Sequence, residues 1–327
     1  MSDKNKTSMN RPKVFVTRKI PDRGIRLLIN NGFEVDVFGK DIPVSKKDLL
    51  KRTANADAIL SLLTDIIDKD VINNARKCRI ISNYAVGYNN IDVSYAKSKG
   101  IIITNTPDVL TSSTADLAMT LALAASRRII EGDSMMREGK FKGWKPELLL
   151  GHELNGKIFG IAGAGRIGTA TAIRAAAFGC KIIYFNSSVN TQLETQTAAK
   201  KVSLNFLMKN SDFVSLHLPL TEKTRGLINR EKLKLLKPSA VFINTARGEI
   251  VDEDYLIMML ENKRIFSAGF DVYKDEPDIN KKLLKLKNVV LLPHIGSATI
   301  EARDKMAELA AQNIVNVLKG KKPVTPV

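Results

Sequence analysis

KIFGIAGAGRIGTATAIRAAAFG, residues 157–179, carries a short β-branched run into an amphipathic helical pattern through a turn built on Gly163, Gly165 and Gly168. A GxGxxG spacing alone is weak evidence, but between a strand and the start of a helix it has a physical purpose. The first glycine allows the tight turn, the second lets a pyrophosphate approach the backbone, and the third lets helix and strand pack closely. Backbone N–H groups of Arg166 and Ile167 at the helix start are then placed to hold phosphate oxygens, aided by the helix dipole. The stretch predicts a dinucleotide-binding α/β domain.

About 20 residues further on, a site for NAD usually ends its second strand with Asp or Glu, which binds the ribose 2′-hydroxyl. This chain has Asn186 there, followed by Ser187 and Ser188. Neutral hydrogen-bonding groups, with the repelling anion gone, admit a 2′-phosphate, so NADP(H) is the favoured cofactor. No arginine clamp is evident in that pocket, which leaves NAD(H) as a second cofactor.

Outward from the turn, short β-branched runs alternate with helical patterns, the signature of βαβ units and parallel sheets. Strands are expected at Lys157–Ala162, Lys181–Phe185, Phe213–Leu216, Val241–Asn244, Ile265–Asp271 and Val289–Leu292, six in all, as in a full dinucleotide-binding sheet. Before them, Lys13–Thr17, Ala58–Ser61, Arg79–Asn83 and Ile101–Thr104 read as strands of a separate open α/β unit. Thr111–Met136 reads as one long helix able to bridge two domains, and Thr299–Leu318 as a last helix that packs back on the first unit.

A chain of 327 residues exceeds the size at which a single core stops growing, which again favours two domains. The opening MSDKNKTSMNRPK is polar and lacks the apolar stretch of a secretory signal, so it reads as a short frayed arm. The most apolar helical stretch, Ala115–Ala125, is far shorter than the roughly 20 residues of a membrane span. Cys78 and Cys180 form no CxxC pair and fit buried or half-buried thiols of a reduced, cytoplasmic protein. No metal is expected. The net charge of +17 raises the local concentration of anions. Its lysines are scattered, with no basic tail and no basic run interleaved with aromatics, so nucleic acid is not an expected partner.

Three histidines can be weighed one by one. His152 sits in a loop and is expected to face solvent. His217 ends a strand in LHLPLT, a place for capping or cofactor contact. His294, in LLPHIGSAT, follows an apolar strand and so falls at the carboxyl end of a parallel sheet, where such sheets bind ligands. Glu276, in DVYKDEP past another strand end, is expected beside it; a carboxylate there holds one imidazole tautomer and suits His294 to exchange a proton with a substrate oxygen. Arg247, in INTARGEIVD, follows a third strand and is suited to clamp a carboxylate and polarise a neighbouring carbonyl. Any one of these alone is more often a cap or a surface charge; their joint placement favours a site.

VFINTARGEIVDEDYL, AGFDVYKDEP and LLPHIGSAT, together with GIAGAGRIG, resemble the motifs of the D-isomer-specific 2-hydroxyacid dehydrogenases, over nearly the whole chain. The resemblance implies that Arg247 binds the substrate's carboxylate and carbonyl, that His294 is the general acid/base, and that Glu276 supports it. It further implies that Asp271 contacts the nicotinamide, while Thr114, His217, Pro219, Thr245, Ala246 and Gly296 line the cofactor. NYAVGYNNID looks like the family's substrate-carboxylate loop, with backbone N–H groups at Val86 and Gly87 doing the binding, and Leu63 in LSLLTDIID would pack on the substrate. Trp144, in FKGWKPELLLG, is similar to the glyoxylate and hydroxypyruvate reductase branch, where that Trp reaches into the partner subunit's site; an ordinary interface or core anchor is the lesser alternative.

The fold so implied is α/β with two doubly wound parallel sheets: a Rossmann-type cofactor domain at 109–296, inserted in a flavodoxin-like substrate domain made of 1–108 plus 297–327. A cleft between them is expected to hold both ligands in a homodimer that reduces small 2-keto acids such as glyoxylate or hydroxypyruvate. Phosphoglycerate and 2-ketogluconate dehydrogenases of the same family remain alternatives. So does a dinucleotide-sensing protein resembling the transcriptional corepressors built on this fold, because those keep the Arg, Glu and His as well.

Overall fold

The computed structural model describes residues 11–327; the lead-in of residues 1–10, expected to be frayed, lies outside the described residues. Two compact units emerge, one running to Leu110 and taking in Thr299–Val327, the other formed by Thr111–Ala298.

In the first unit β1 (Lys13–Val16), β2 (Glu34–Val37), β3 (Ala58–Ser61), β4 (Ile80–Asn83) and β5 (Ile102–Thr104) are joined by α1 (Asp22–Asn30), α2 (Lys46–Thr53), α3 (Lys69–Asn74) and α4 (Val93–Ser98). All strand pairs are parallel, in the order β2-β1-β3-β4-β5, that of flavodoxin-like sheets. β3 and β4 are buried along their whole length, as strands covered on both faces must be. The sequence leads to four strands here and the structure has five. β2, Glu-Val-Asp-Val, is an edge strand with its acids toward water, so it lacks the apolar run that marks its neighbours.

The second unit begins with α5 (Thr111–Ser126) and α6 (Ile129–Arg137). Then follow β6 (Ile158–Ala162), α7 (Arg166–Ala177), β7 (Lys181–Phe185), α8 (Thr191–Thr197), β8 (Lys200–Lys201), α9 (Leu204–Asn210), β9 (Phe213–Leu216), α10 (Arg230–Leu233), β10 (Val241–Asn244), α11 (Glu253–Glu261), β11 (Ser267–Phe270) and β12 (Val289–Leu291). The sheet is parallel, in the order β12-β11-β10-β9-β6-β7-β8, so strand order reverses between β6 and β9. Ligands of doubly wound sheets bind at such a switch point, and the glycine turn leaves β6 there. Six strands match the expected ones; the seventh, β8, is a pair of exposed lysines with no apolar run to betray it.

The single helix expected over Thr111–Met136 is two. Arg128 takes a left-handed backbone conformation (φ 54°), and Glu131 holds its guanidinium through hydrogen bonds of 2.9 and 2.8 Å. Nor does α5 serve as a separate bridge: it belongs to the second unit, packed on β10, β11, β12 and α7. The last helix, α12 (Ile300–Leu318), starts at the Thr299 cap and packs on α1, β3 and β4 of the first unit. Arg79 donates to the carbonyls of Val317 (2.7 Å) and Leu318 (3.2 Å) at its end.

Phe15, Ile59 and Ile81 lie in the core of the first unit with Cys78; Phe159, Phe213 and Tyr184 lie in that of the second with Cys180. Both thiols are free and buried, and burial pushes them up, to about 12 for Cys78 and about 11 for Cys180. Among the described residues no helix is long and apolar enough to cross a membrane.

Candidate active site

Gly163 and Gly168 leave no room for a side chain. Gly163 has φ 100°, and a Cβ on it would lie 2.8 Å from the carbonyl of His217; one on Gly168 would lie 2.0 Å from the carbonyl oxygen of Gly163. These contacts lock β6, α7 and the end of β9 together. Gly165 is different: a Cβ there would meet no protein atom within 4 Å. Gly165 also N-caps α7 without supplying a side-chain acceptor. Open space over a helix start of this kind fits a pyrophosphate. A second sign of a polar ligand comes from Thr245, just after β10, whose hydroxyl is buried without a hydrogen-bond partner. Such a group costs about 1–3 kcal/mol until a donor or acceptor arrives.

Asn186 directly follows β7, and its Nδ2 donates to the Ser188 carbonyl at 3.3 Å. His217 Nε2 lies 2.9 Å from the Ser215 hydroxyl, and burial pushes its pKa down to about 3, so it is a neutral ring. Pro219, exposed, accepts from the Thr224 hydroxyl at 2.5 Å. His152 does not face solvent freely as expected. It is half-buried, edge-on to Phe266 with ring centroids 4.4 Å apart, because the apolar ring edge finds an aromatic face.

The carboxyl ends of β10, β11 and β12, neighbours in the sheet, carry Arg247, Asp271 with Glu276, and His294. Glu276 Oε2 lies 2.8 Å from His294 Nδ1, and its Oε1 accepts from the Tyr273 N–H at 2.8 Å. Burial works to raise the Glu276 pKa, but His294, the Tyr273 N–H and the Arg247 charge outweigh it, and the carboxyl stays below the ordinary range. An ionised carboxylate only accepts, so Nδ1 carries the hydrogen and Nε2 is left to face a substrate. Arg247 is held by its own loop: Asn244 Oδ1 accepts from the Ala246 N–H and Asn244 Nδ2 donates to the Arg247 carbonyl, both at 3.0 Å. Burial lowers the Arg247 pKa, opposed by Glu276 and Glu249, yet a guanidinium starts so high that it stays a cation.

Three anchors escape a reading of residue types. Asp271, 1% exposed, accepts from the N–H groups of Ile295 and Gly296, each at 2.7 Å, and thereby fixes the loop that carries His294. Burial raises its pKa, against those two donors and the nearby His294. Thr114 closes the same loop by donating to the Gly296 carbonyl at 3.1 Å. Glu253, at the start of α11, accepts from the Lys274 N–H at 3.0 Å, and Gly248 packs on the same Tyr273–Lys274 peptide so closely that a Cβ would lie 2.0 Å from it. The Arg247 and Glu276 loops are thus joined. In sequence Glu253 sits in an acidic VDED run that reads as a solvated helix start, so no signal marked it.

In the first unit, Leu63 and the Val86–Gly87 pair sit at the carboxyl ends of β3 and β4. Asn90 staples their loops by donating to the carbonyls of Leu62 (3.1 Å) and Asp65 (2.9 Å). Asn105 and Asn83 hold the Val86 and Gly87 carbonyls at 2.8 Å, whereas their N–H groups have no acceptor among the described residues. Two peptides pinned by their carbonyls, with their N–H groups unengaged, suit an anion. Trp144 lies beyond α6 and is 82% exposed. Among the described residues no group of three or more His, Cys, Asp or Glu is placed to hold a metal ion.

Residues 119–296 match the family described as D-isomer specific 2-hydroxyacid dehydrogenase, NAD binding domain. Over 317 residues the chain is 48% identical to a glyoxylate reductase of Thermococcus litoralis, covering 96% of each. Among solved structures, a Thermus thermophilus protein is similar at 41% identity and TM-score 0.91, with 96% of this chain and 99% of that one covered. An NADPH-dependent glyoxylate/hydroxypyruvate reductase of Sinorhizobium meliloti, in complex with NADP and malonate, is similar at 32% identity and TM-score 0.85, with 97% of each chain covered. With its cofactor domain matched and near-full-length relatives this similar, the chain belongs to the D-isomer-specific 2-hydroxyacid dehydrogenase family of NAD(P)-dependent oxidoreductases.

Proposed function

We propose that this protein reduces small 2-keto acids, glyoxylate or hydroxypyruvate first among them, to D-2-hydroxy acids, with NADPH favoured and NADH accepted. The observation that carries this reading is the 2.8 Å His294–Glu276 pair within electrostatic reach of the Arg247 cation, at adjoining strand ends. The names of the relatives support the size of the substrate, and the neutral Asn186, Ser187 and Ser188 support the coenzyme.

With the pyrophosphate of the dinucleotide at the glycine turn, Thr114, His217, Pro219, Thr245, Ala246, Asp271 and Gly296 would line the cofactor, whose dihydronicotinamide would supply the hydride. His294, with Nδ1–H on Glu276, presents Nε2–H to the keto oxygen and gives up that proton as negative charge develops there. Glu276 holds the ring by Nδ1 for that transfer. Arg247 sets two parallel N–H donors on the substrate carboxylate and polarises the carbonyl beside it. The Val86 and Gly87 N–H groups take the remaining carboxylate oxygen, and Leu63 packs on the substrate's short side chain. In oxidation His294 takes the proton back.

The reading extends to assembly. Ile129, Ile130 and Met136 of α6, with Phe141, Trp144 and Leu150 after it, are exposed apolar side chains on one short stretch, and α6 buries none of its residues. An apolar surface of that kind marks an interface, here with a second copy in a homodimer. Two unlinked thiols suit a reducing compartment such as the cytoplasm.

The test is the loss of NADPH or NADH absorbance over a panel of 2-keto acids. Turnover is expected with glyoxylate and hydroxypyruvate; none on any acid, with cofactor binding intact, would sink the enzyme reading and favour a dinucleotide sensor. His294→Gln should lower kcat by about 10²- to 10⁴-fold and leave the NADPH Kd nearly unchanged.

A further inference from the structure

The loop after β7 gives a 2′-phosphate hydrogen bonds but no charge: Asn186, Ser187 and Ser188 are all neutral. Such a phosphate brings close to two negative charges, and a charged donor holds it more strongly than a hydroxyl does. The structure brings a cation to that loop from the next strand. Lys201, the second residue of β8, stands in register with Tyr184 of β7, and the Val202 N–H continues the pairing onto the Tyr184 carbonyl at 2.8 Å. That pairing sets Lys201 alongside the end of β7, and its Nζ donates to the Ser187 carbonyl at 3.1 Å.

The ammonium is well placed for a second partner. It has three hydrogens, of which Ser187 takes one. Among the described residues Lys201 forms no ion pair, and residues 186–192 contain no Asp or Glu. The nearest acid in sequence, Glu194, accepts from the Tyr184 hydroxyl at 2.7 Å. Lys201, Ser187 and Ser188 are exposed, so an incoming phosphate finds them without rearrangement of the core.

We propose that Lys201 binds the 2′-phosphate of NADPH and sets the coenzyme preference of this protein. The proposal rests on the reading that NADPH is favoured. Lys200, on the opposite face of the same short strand by the alternation of β structure, is the matched control for loss of one positive charge.

Calorimetric Kd values for NADPH, NADH and 2′,5′-ADP test this without turnover. Wild type should bind NADPH more tightly than NADH. Lys201→Ala should weaken NADPH and 2′,5′-ADP by about ten- to a hundredfold and leave NADH unchanged, the loss expected for one charged hydrogen bond. Lys201→Glu should invert the preference, while Lys200→Ala keeps the wild-type ratio. A Lys201→Ala protein with the wild-type NADPH/NADH ratio, or one weakened equally for both, overturns the role of Lys201 and leaves the coenzyme reading standing. A wild type that binds NADH as tightly as NADPH overturns both.

Discussion

Glu253 is a carboxylate only 7% exposed, with the Lys274 N–H donating to it. Burial first, then Asp254 and Asp275, raise its pKa against the pull of that donor and of Lys274. A folded-state pKa above the unfolded one means that the group's contribution to stability is fully present below the unfolded value, about 4.3, and is lost as pH rises through the folded one. Glu253→Gln keeps an acceptor and cannot ionise. It should therefore match wild type in acid, gain on it as pH rises from the unfolded value through the folded one, and hold that difference above, read as urea midpoints over a pH series. A difference constant with pH would mean that Glu253 is not charged at a cost. Glu276 has the opposite sign: its pKa is lowered, so its contribution is present above the ordinary carboxylate value and is lost as pH falls through the lower folded one. The two carboxylates, bound to the successive N–H groups of Lys274 and Tyr273, are thus tuned apart. Arg247, Glu276 and His294 were legible in sequence because each follows an apolar strand in a distinctive motif. Glu253, the anchoring by Asp271 and the contact of Lys201 with the Ser187 carbonyl were not, because they depend on which backbone groups the fold brings to each side chain.

At the scale of elements, the start of α7 separates glycines that hold the turn from the one that leaves space. Gly165 has φ −76° and ψ −162°, open to any residue. Gly165→Ala should fold with undiminished thermal stability, since Gly→Ala at a compatible position stabilises by about 0.4–1 kcal/mol through the unfolded chain. The added methyl occupies the space over the helix start, so NADPH binding should weaken by roughly tenfold or more. Gly168→Ala, with its methyl driven against the Gly163 carbonyl, should instead lose stability. Equal Kd values for Gly165→Ala and wild type would place the pyrophosphate elsewhere. The elements themselves were legible where apolar runs are long. β2 and β8 escaped because edge strands turn acids or lysines to water. The break between α5 and α6 escaped because Arg128 adopts a conformation more usual for glycine, with no local residue type to announce it.

For the molecule as a whole, the excess of cations, +17, raises the local concentration of small anionic keto acids around it. Ile129, Ile130, Met136, Phe141, Trp144 and Leu150 form its longest run of exposed large apolar side chains, on and after α6. Wild type should sediment at twice the 36.1 kDa of one chain, and a variant carrying Ile129→Asp and Met136→Asp should sediment at that of one chain with its circular dichroism intact. A wild type that stays a single chain at micromolar concentration would remove the homodimer.

The two cysteines lie one in each unit, Cys78 in the core of the first and Cys180 in that of the second, and burial keeps both protonated at neutral pH. A thiolate, not a thiol, reacts with disulfide reagents, so each sulfur stays silent until its own unit opens to water. The protein therefore carries a built-in clock for each half: the order and rate at which the two sulfurs take up a label report which unit opens first, with no probe introduced.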